Sequence, residues 1–163
     1  MDAAKLIRYT HAARQRYLKL FRDMPWDELI MDRGASFPSI RDIFMHALDM
    51  EDMMINKVIP GKLEQRAPYN YGMFTDLNSI EKHVKEVEEK VDAYLAGLTA
   101  KELDRKAQLP WRRDPPVILR VEDILVQVAI EATSHMGELI AILWQVDKQP
   151  PFLNWSTFIE QAT

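Results

Sequence analysis

The chain has 163 residues, with 21 basic and 25 acidic side chains and a formal charge of -4, so it offers no basic surface for tracking nucleic-acid phosphates or anionic membranes. Its length suits one domain over residues 1–163, large enough to bury a core without cross-links. No cysteine is present, which removes a catalytic thiol, a thiolate metal ligand and any disulfide, and is compatible with a reducing compartment.

Only five glycines, many helix-favouring residues and no strand-like alternation predict an all-α fold. The first helix covers residues 2–22, with Leu6, Ala13, Tyr17 and Leu20 on one stripe, and stops ahead of Pro25. Its charged, amphipathic pattern lacks the apolar run of a signal peptide, and no stretch has the length of a membrane span; the expectation is a soluble cytoplasmic protein. The second helix starts behind Ser39, a natural N-cap with Asp42 three residues on, and ends at Pro60-Gly61. In the third, Leu77, Ile80, Val84, Val87, Val91, Leu95 and Leu98 recur at steps of three and four, with Asn78 and Glu81 as candidate caps.

Thr99 and Glu102 have the spacing of a capping box for one short helix. The stretch "AQLPWRRDPPVILR" follows, and its three prolines exclude a continued helix and predict a plain connection. A fourth long helix runs from Val121 to Val146, and the tail closes with a short amphipathic helix carrying Trp155, Phe158 and Ile159. Connections of about 17 residues after the second helix and about 20 after the third are longer than an up-down-up-down bundle requires. The prediction is a four-helix bundle with long connections, another topology and a short C-terminal helix.

The fourth helix carries the chemistry. Ile124, Val128, Glu131, His135, Leu139, Ile142 and Val146 share one face, which stacks a carboxylate and an imidazole at i and i+4 among apolar residues. A carboxylate so placed loses several kcal/mol of hydration unless it is paired, protonated or bound to a cation. His46, between Ile43, Ala47 and Met50 on the apolar side of the second helix, can face this pair across the bundle. Two imidazoles and one carboxylate form an open three-donor set that suits one divalent ion: zinc, iron(II), nickel or manganese. The alternative is an ordinary Glu131–His135 helix pair with His46 as a hydrogen-bonded core histidine.

The segments "SFPSIRDIFMHALDMEDMMI" and "VEDILVQVAIEATSHMGELIAIL", with the closing "PPFLNWSTFI", resemble the DinB/YfiT-like family of small helical bundles. The likeness spans nearly the whole chain in layout, and its specific content lies in these three pieces. It implies a single divalent metal held by one histidine of the second helix and two of the last. Matched by position, these ligands fall on His46, Glu131 and His135, with glutamate where the family usually has histidine. A harder, anionic donor shifts preference from nickel or zinc toward iron or manganese. Where the family favours Arg-Gly-Gln after the last histidine, this chain reads Met136-Gly137-Glu138. The resemblance further implies a metal-dependent transferase that acts on a small-molecule substrate with a low-molecular-weight thiol such as bacillithiol or mycothiol. A metal lowers the pKa of such a thiol and presents a thiolate at neutral pH. Metal-dependent hydrolysis, and a metal-free bundle that binds a small ligand or a protein partner, are the alternatives.

Asp49, one turn beyond His46, is placed to orient its ring by a hydrogen bond, and His11, in line with Ile7, Leu18 and Phe21, either supports the site or caps the core edge. Glu51 and Asp52 read as a solvated charge cluster and His83 as solvated. Met45, Met50, Met53 and Met54 read as adaptable core filler. Arg112 and Arg113, beside Trp111, are either exposed charges or a contact for an anionic substrate. A second apolar stripe on the fourth helix, through Val126, Ala129, Ile130, Thr133, Gly137, Ile140, Ala141 and Trp144, predicts a homodimer.

Overall fold

The computed structural model describes residues 2–63 and 70–162; the side chains of Arg112 and Arg113, and with them the expected anion contact, lie outside the described residues. Helix α1 (Ala3–Arg22) opens on Asp2, whose carboxylate accepts from the Lys5 amide at 3.0 Å, and gives way at Pro25 to the short α2 (Trp26–Ile30). Helix α3 (Ile40–Met53) opens on Ser39, whose hydroxyl accepts from the Asp42 amide at 3.2 Å. It runs directly into a π-helical turn (Met54–Val58), so the helical segment reaches the predicted stop at Pro60-Gly61.

Helix α4 (Leu77–Ala96) begins two residues earlier than the Asn78 cap predicts. The cap is Asp76, whose carboxylate accepts from the Ser79 amide at 2.7 Å. Thr99 caps α5 (Ala100–Asp104) as expected, through the Glu102 amide. The long α6 (Val121–Gln145) and the terminal α7 (Trp155–Ala162) complete the helices. Among the described residues no helix is long and apolar enough to cross a membrane.

The proline-rich stretch is not a plain connection. It forms an antiparallel hairpin of β1 (Lys106–Arg113) and β2 (Pro116–Arg120), with Ala107 opposite Leu119, Gln108 opposite Ile118, and an irregularity between Gln108 and Arg113. Prolines exclude a helix but not a two-stranded ribbon, in which every strand is an edge and Pro116 takes the first position of its strand.

Cross-helix pairs give the helix directions. Arg22 meets Glu81 and Arg14 meets Glu88, so α1 and α4 are antiparallel. His11 meets Glu51 while Phe21 meets Phe44, so α1 and α3 are antiparallel too. Leu6 lies beside Ile130, and the Tyr17 hydroxyl donates to the Met136 carbonyl at 3.2 Å, so α1 and α6 are parallel. The order is up, down, down, up, and the parallel step from α3 to α4 is what demands a long connection. Ile7, Leu18, Ile43, Leu48, Val84, Val91, Ile124 and Leu143 fill the core between the four long helices, and Met45, Met53 and Met54 fill it as expected.

Inside this core sits an ion cluster. Glu51, fully buried and not solvated as its charged neighbours suggest, accepts from Arg14 at 2.6 Å and pairs with His11 Nε2 at 2.7 Å. Arg14 also reaches Glu88 at 2.7 Å, tying α1, α3 and α4 together. Glu51 lies seven and three residues beyond the buried Phe44 and Leu48, on the inward face of α3. Burial alone would raise its pKa, but the charge of Arg14 and the bonds from His11 and Arg14 lower it to about 2. A carboxyl with its folded pKa below its unfolded value near 4.5 contributes stability at neutral pH that fades as pH falls from about 4.5 toward 2. Glu51→Gln should therefore cost about 3 kcal/mol at pH 7, because Arg14 is left buried with fewer partners. Urea unfolding at pH 7 and pH 3 checks this: the gap between wild type and variant should narrow at the lower pH.

Candidate metal centre

The antiparallel packing of α3 on α6 brings three predicted residues to one place. Donor atoms of His46, Glu131 and His135 all lie within 4.8 Å of one another. His135 Nε2 is 3.5 Å from Glu131 Oε1, as the i,i+4 spacing requires, and the rings of His46 and His135 meet edge-on with centroids 4.8 Å apart. The pair does not point fully inward, however. Ile124, Val128, Leu139 and Ile142 are buried, whereas Glu131 keeps 32% of its side chain exposed and His135 keeps 13%. The cluster sits at the margin of the core, where one side remains open to solvent.

Residues outside the predicted set build the walls. Phe37 stacks on His46 at 4.0 Å and meets His135 edge-on at 5.8 Å, closing one side with an apolar ring. The Tyr71 hydroxyl lies 3.1 Å from His46 Nδ1, which directs the opposite edge of that ring away from Tyr71. Glu138 Oε2 lies 3.3 Å from His135 Nδ1 and also accepts from the Ser36 hydroxyl at 2.6 Å, while Oε1 accepts from the Ser36 amide at 2.8 Å. Burial would raise the Glu138 pKa, but the bonds from Ser36 and then His135 outweigh it and lower it. A carboxylate at Nδ1 holds that nitrogen protonated and leaves Nε2 as the lone-pair donor, the usual support of a metal-bound imidazole.

Asp49 is buried one turn beyond His46 on α3. Both ring nitrogens of His11 face other carboxylates, Glu51 at 2.7 Å and Asp92 at 3.7 Å, so this histidine belongs to the ion cluster that fastens α1 to α3. His83 is half-buried beside the Phe74 ring, and burial, which outweighs its acidic neighbours, lowers its pKa. Of the supporting residues, Glu138 had a sequence signal, the i+3 step from His135. Phe37 and Tyr71 lie in connections without periodicity, so nothing local points at them.

The donor set fits a divalent ion. Bonds of ~2.0–2.2 Å to nitrogen and oxygen imply donor separations of ~3.4 Å in a tetrahedral site. The Glu131–His135 pair is already at that spacing, and small side-chain rotations bring His46 in. The chain belongs to the DinB superfamily, whose family model matches residues 9–139, from α1 through all three donors to Leu139. Among curated proteins no match is found.

At pH 8 the His135 ring should show the tautomer protonated at Nδ1 in its 15N shifts. Glu138→Ala should let the two tautomers mix and should weaken binding of added zinc or manganese by about 10–100-fold in calorimetry.

Proposed function

We propose that the chain is a metal-dependent enzyme that binds one divalent ion through His46, Glu131 and His135 and transfers a low-molecular-weight thiol to, or with, a small-molecule substrate. The observation that carries this reading is the meeting of two imidazoles and a carboxylate from two separate helices at one partly open point. Membership of the DinB superfamily supports it. When bound, the ion would supply a Lewis acid with an open position that lowers the pKa of a thiol or a water placed there.

The remaining work falls to the chain's own groups. Glu138 keeps His135 oriented, Tyr71 engages His46 Nδ1, and Asp49 would add to the support of His46 from within α3. Phe37 excludes water from one flank, so incoming molecules approach on the exposed side of Glu131. Gln127 Nε2 donates to Glu131 Oε2 at 3.4 Å and steadies that carboxylate. With glutamate as the third donor, the site has one positive charge fewer than a three-histidine set, which shifts its preference from nickel or zinc toward iron(II) or manganese. A cytoplasmic setting, where small thiols are kept reduced, completes the reading.

Elemental analysis of protein purified without an affinity tag should find about one metal per chain, and His135→Ala should lose it. Added ion at one hundred times its Kd should stabilise the fold by about 2.7 kcal/mol, visible as a higher Tm. Metal-free protein whose melting ignores zinc, nickel, iron(II) and manganese would leave only a hydrogen-bonded polar cluster. With loaded protein, an electrophilic test substrate offered with and without bacillithiol separates the two reactions: a thiol adduct indicates transfer, and a water adduct indicates hydrolysis.

A further inference from the structure

Helices α1 and α6 run side by side in parallel, and the seam between them has a gap. On α1 it is lined by Tyr9, Ala13 and Tyr17, at steps of four, and on α6 by Thr133, Gly137 and Ile140, at steps of four and three. Each series has its smallest residue in the middle. Close packing sets a large side chain of one helix against a small one of its neighbour. Here a small residue on each helix opens onto the same space, and a cavity of about 240 Å³ remains. A Cβ built on Gly137 would meet nothing within 4 Å, so the space begins at the α6 backbone itself.

The strap that leads into α7 covers this gap, with Pro151, Phe152 and Leu153 on its remaining side. The strap is fastened. The Tyr9 hydroxyl donates to the Leu153 carbonyl at 2.9 Å, Arg16 donates to the Phe152 carbonyl, and the Tyr9 ring meets Trp155 and Phe158 edge-on at 5.6 and 5.7 Å. It does not fill what it covers, since Phe152 is 71% exposed and turns most of its ring to solvent. The walls offer apolar contact, because the hydroxyls of Tyr9, Tyr17 and Thr133 already donate to the carbonyls of Leu153, Met136 and Ala129. The only charged lining residue is Arg16. Both of its acceptors, the Phe152 carbonyl and the Gln161 amide oxygen at 3.3 Å, are neutral, and among the described residues no carboxylate pairs with it. A second cavity of about 390 Å³ shares Arg16, Pro151 and Phe152 and adds Lys19 and Asp23, whose charges offset each other. The positive charge of Arg16 is left over.

We infer that this cavity is a binding site for a small amphipathic carboxylic acid, whose apolar body, about the size of two fused rings, lies between Ala13 and Gly137 and whose carboxylate is held by Arg16. Size sets the body. A dry apolar cavity of ~150 Å³ holds one benzene ring, so a space of about 240 Å³ admits a second. Charge sets the head. A guanidinium served only by neutral oxygens gains a stronger, charge-assisted bond from a carboxylate, whose two oxygens match its planar fork. A neutral guest would leave the charge of Arg16 unanswered, and a doubly charged one would find no second cation in the walls of the cavity. The cavity uses none of the three metal donors, so this inference does not rest on the reading of the metal centre.

Calorimetry of the full chain with 2-naphthoate, and with its neutral analogue 2-naphthamide, tests both body and head. The acid should bind one molecule per chain, about tenfold more tightly than the amide, since one charge-assisted bond at a partly exposed arginine separates them. Arg16→Gln keeps a donor for the Phe152 carbonyl but removes the charge, so it should lower the affinity for the acid to that of the amide and leave the amide unchanged. Gly137→Leu and Ala13→Leu each grow a side chain into the space, one from each helix, and should abolish binding of both compounds with unchanged far-ultraviolet circular dichroism. His135→Ala, which takes a donor from the metal centre, should bind the acid as the wild type does. Absence of binding up to about 1 mM acid, equal affinity for acid and amide, or binding that survives both leucine substitutions would each overturn the proposal. Loss of binding in His135→Ala would overturn it too, by placing the carboxylate on the metal.

Discussion

The register of α3, which packs on α6 and is tied across the core to α1, is the constraint on which the rest depends. On its α1 side, Glu51 is fully buried and bound by Arg14 and His11. On its α6 side, His46 meets Glu131 and His135. A buried carboxylate held by charge-assisted bonds cannot slide along a helix neighbour without losing partners it has no water to replace. A slip of one residue would move His46 by ~1.5 Å, enough to spoil a donor set that needs atoms placed to a few tenths of an ångström. The ion cluster therefore contributes more to the site through registry than through its net energy, which for buried ion pairs is often small.

The site's location follows from the same packing. A carboxylate in the centre of the bundle without the cationic partners that Glu51 has would be too costly to keep ionised, while one on the open surface would be screened and too mobile to hold an ion. Glu131 and His135 lie between these limits, on the margin of the α6 core face, with Phe37 as a roof. His135 is flanked by carboxylates on both ring nitrogens, Glu131 at 3.5 Å and Glu138 at 3.3 Å. This arrangement combines a donor and its orienting acid on two turns of one helix, and Ser36 links that acid to the segment that leads into α3. The polar groups thus support one another across the α3–α6 seam.

Helix α6 serves three surfaces at once. One face fills the core with Ile124, Leu125, Leu139 and Leu143; its edge carries the donors; the outward face carries Ile130, Gly137 and Trp144. With so much of its circumference apolar, the helix leaves little room for charged residues, and the two acids it keeps over residues 131–138 both belong to the site. An apolar helix with specific polar exceptions makes those exceptions informative.

Helix-forming stretches, their periodic core positions and the caps at Ser39 and Thr99 could be read directly from the sequence, because capping and the 3.6-residue period are local properties. The Glu131–His135 pairing was legible for the same reason, and His46 joined it because an imidazole stood out on an apolar stripe. Proline misled at the hairpin, since it excludes a helix without excluding a short edge strand. Only the tertiary structure decided that Glu51 is buried rather than solvated, that His11 turns to Glu51, and that Phe37 and Tyr71 close around His46. Each of those facts depends on which distant segment faces which side of a helix and in what register. No local pattern encodes that information; it emerges when the apolar faces choose their neighbours.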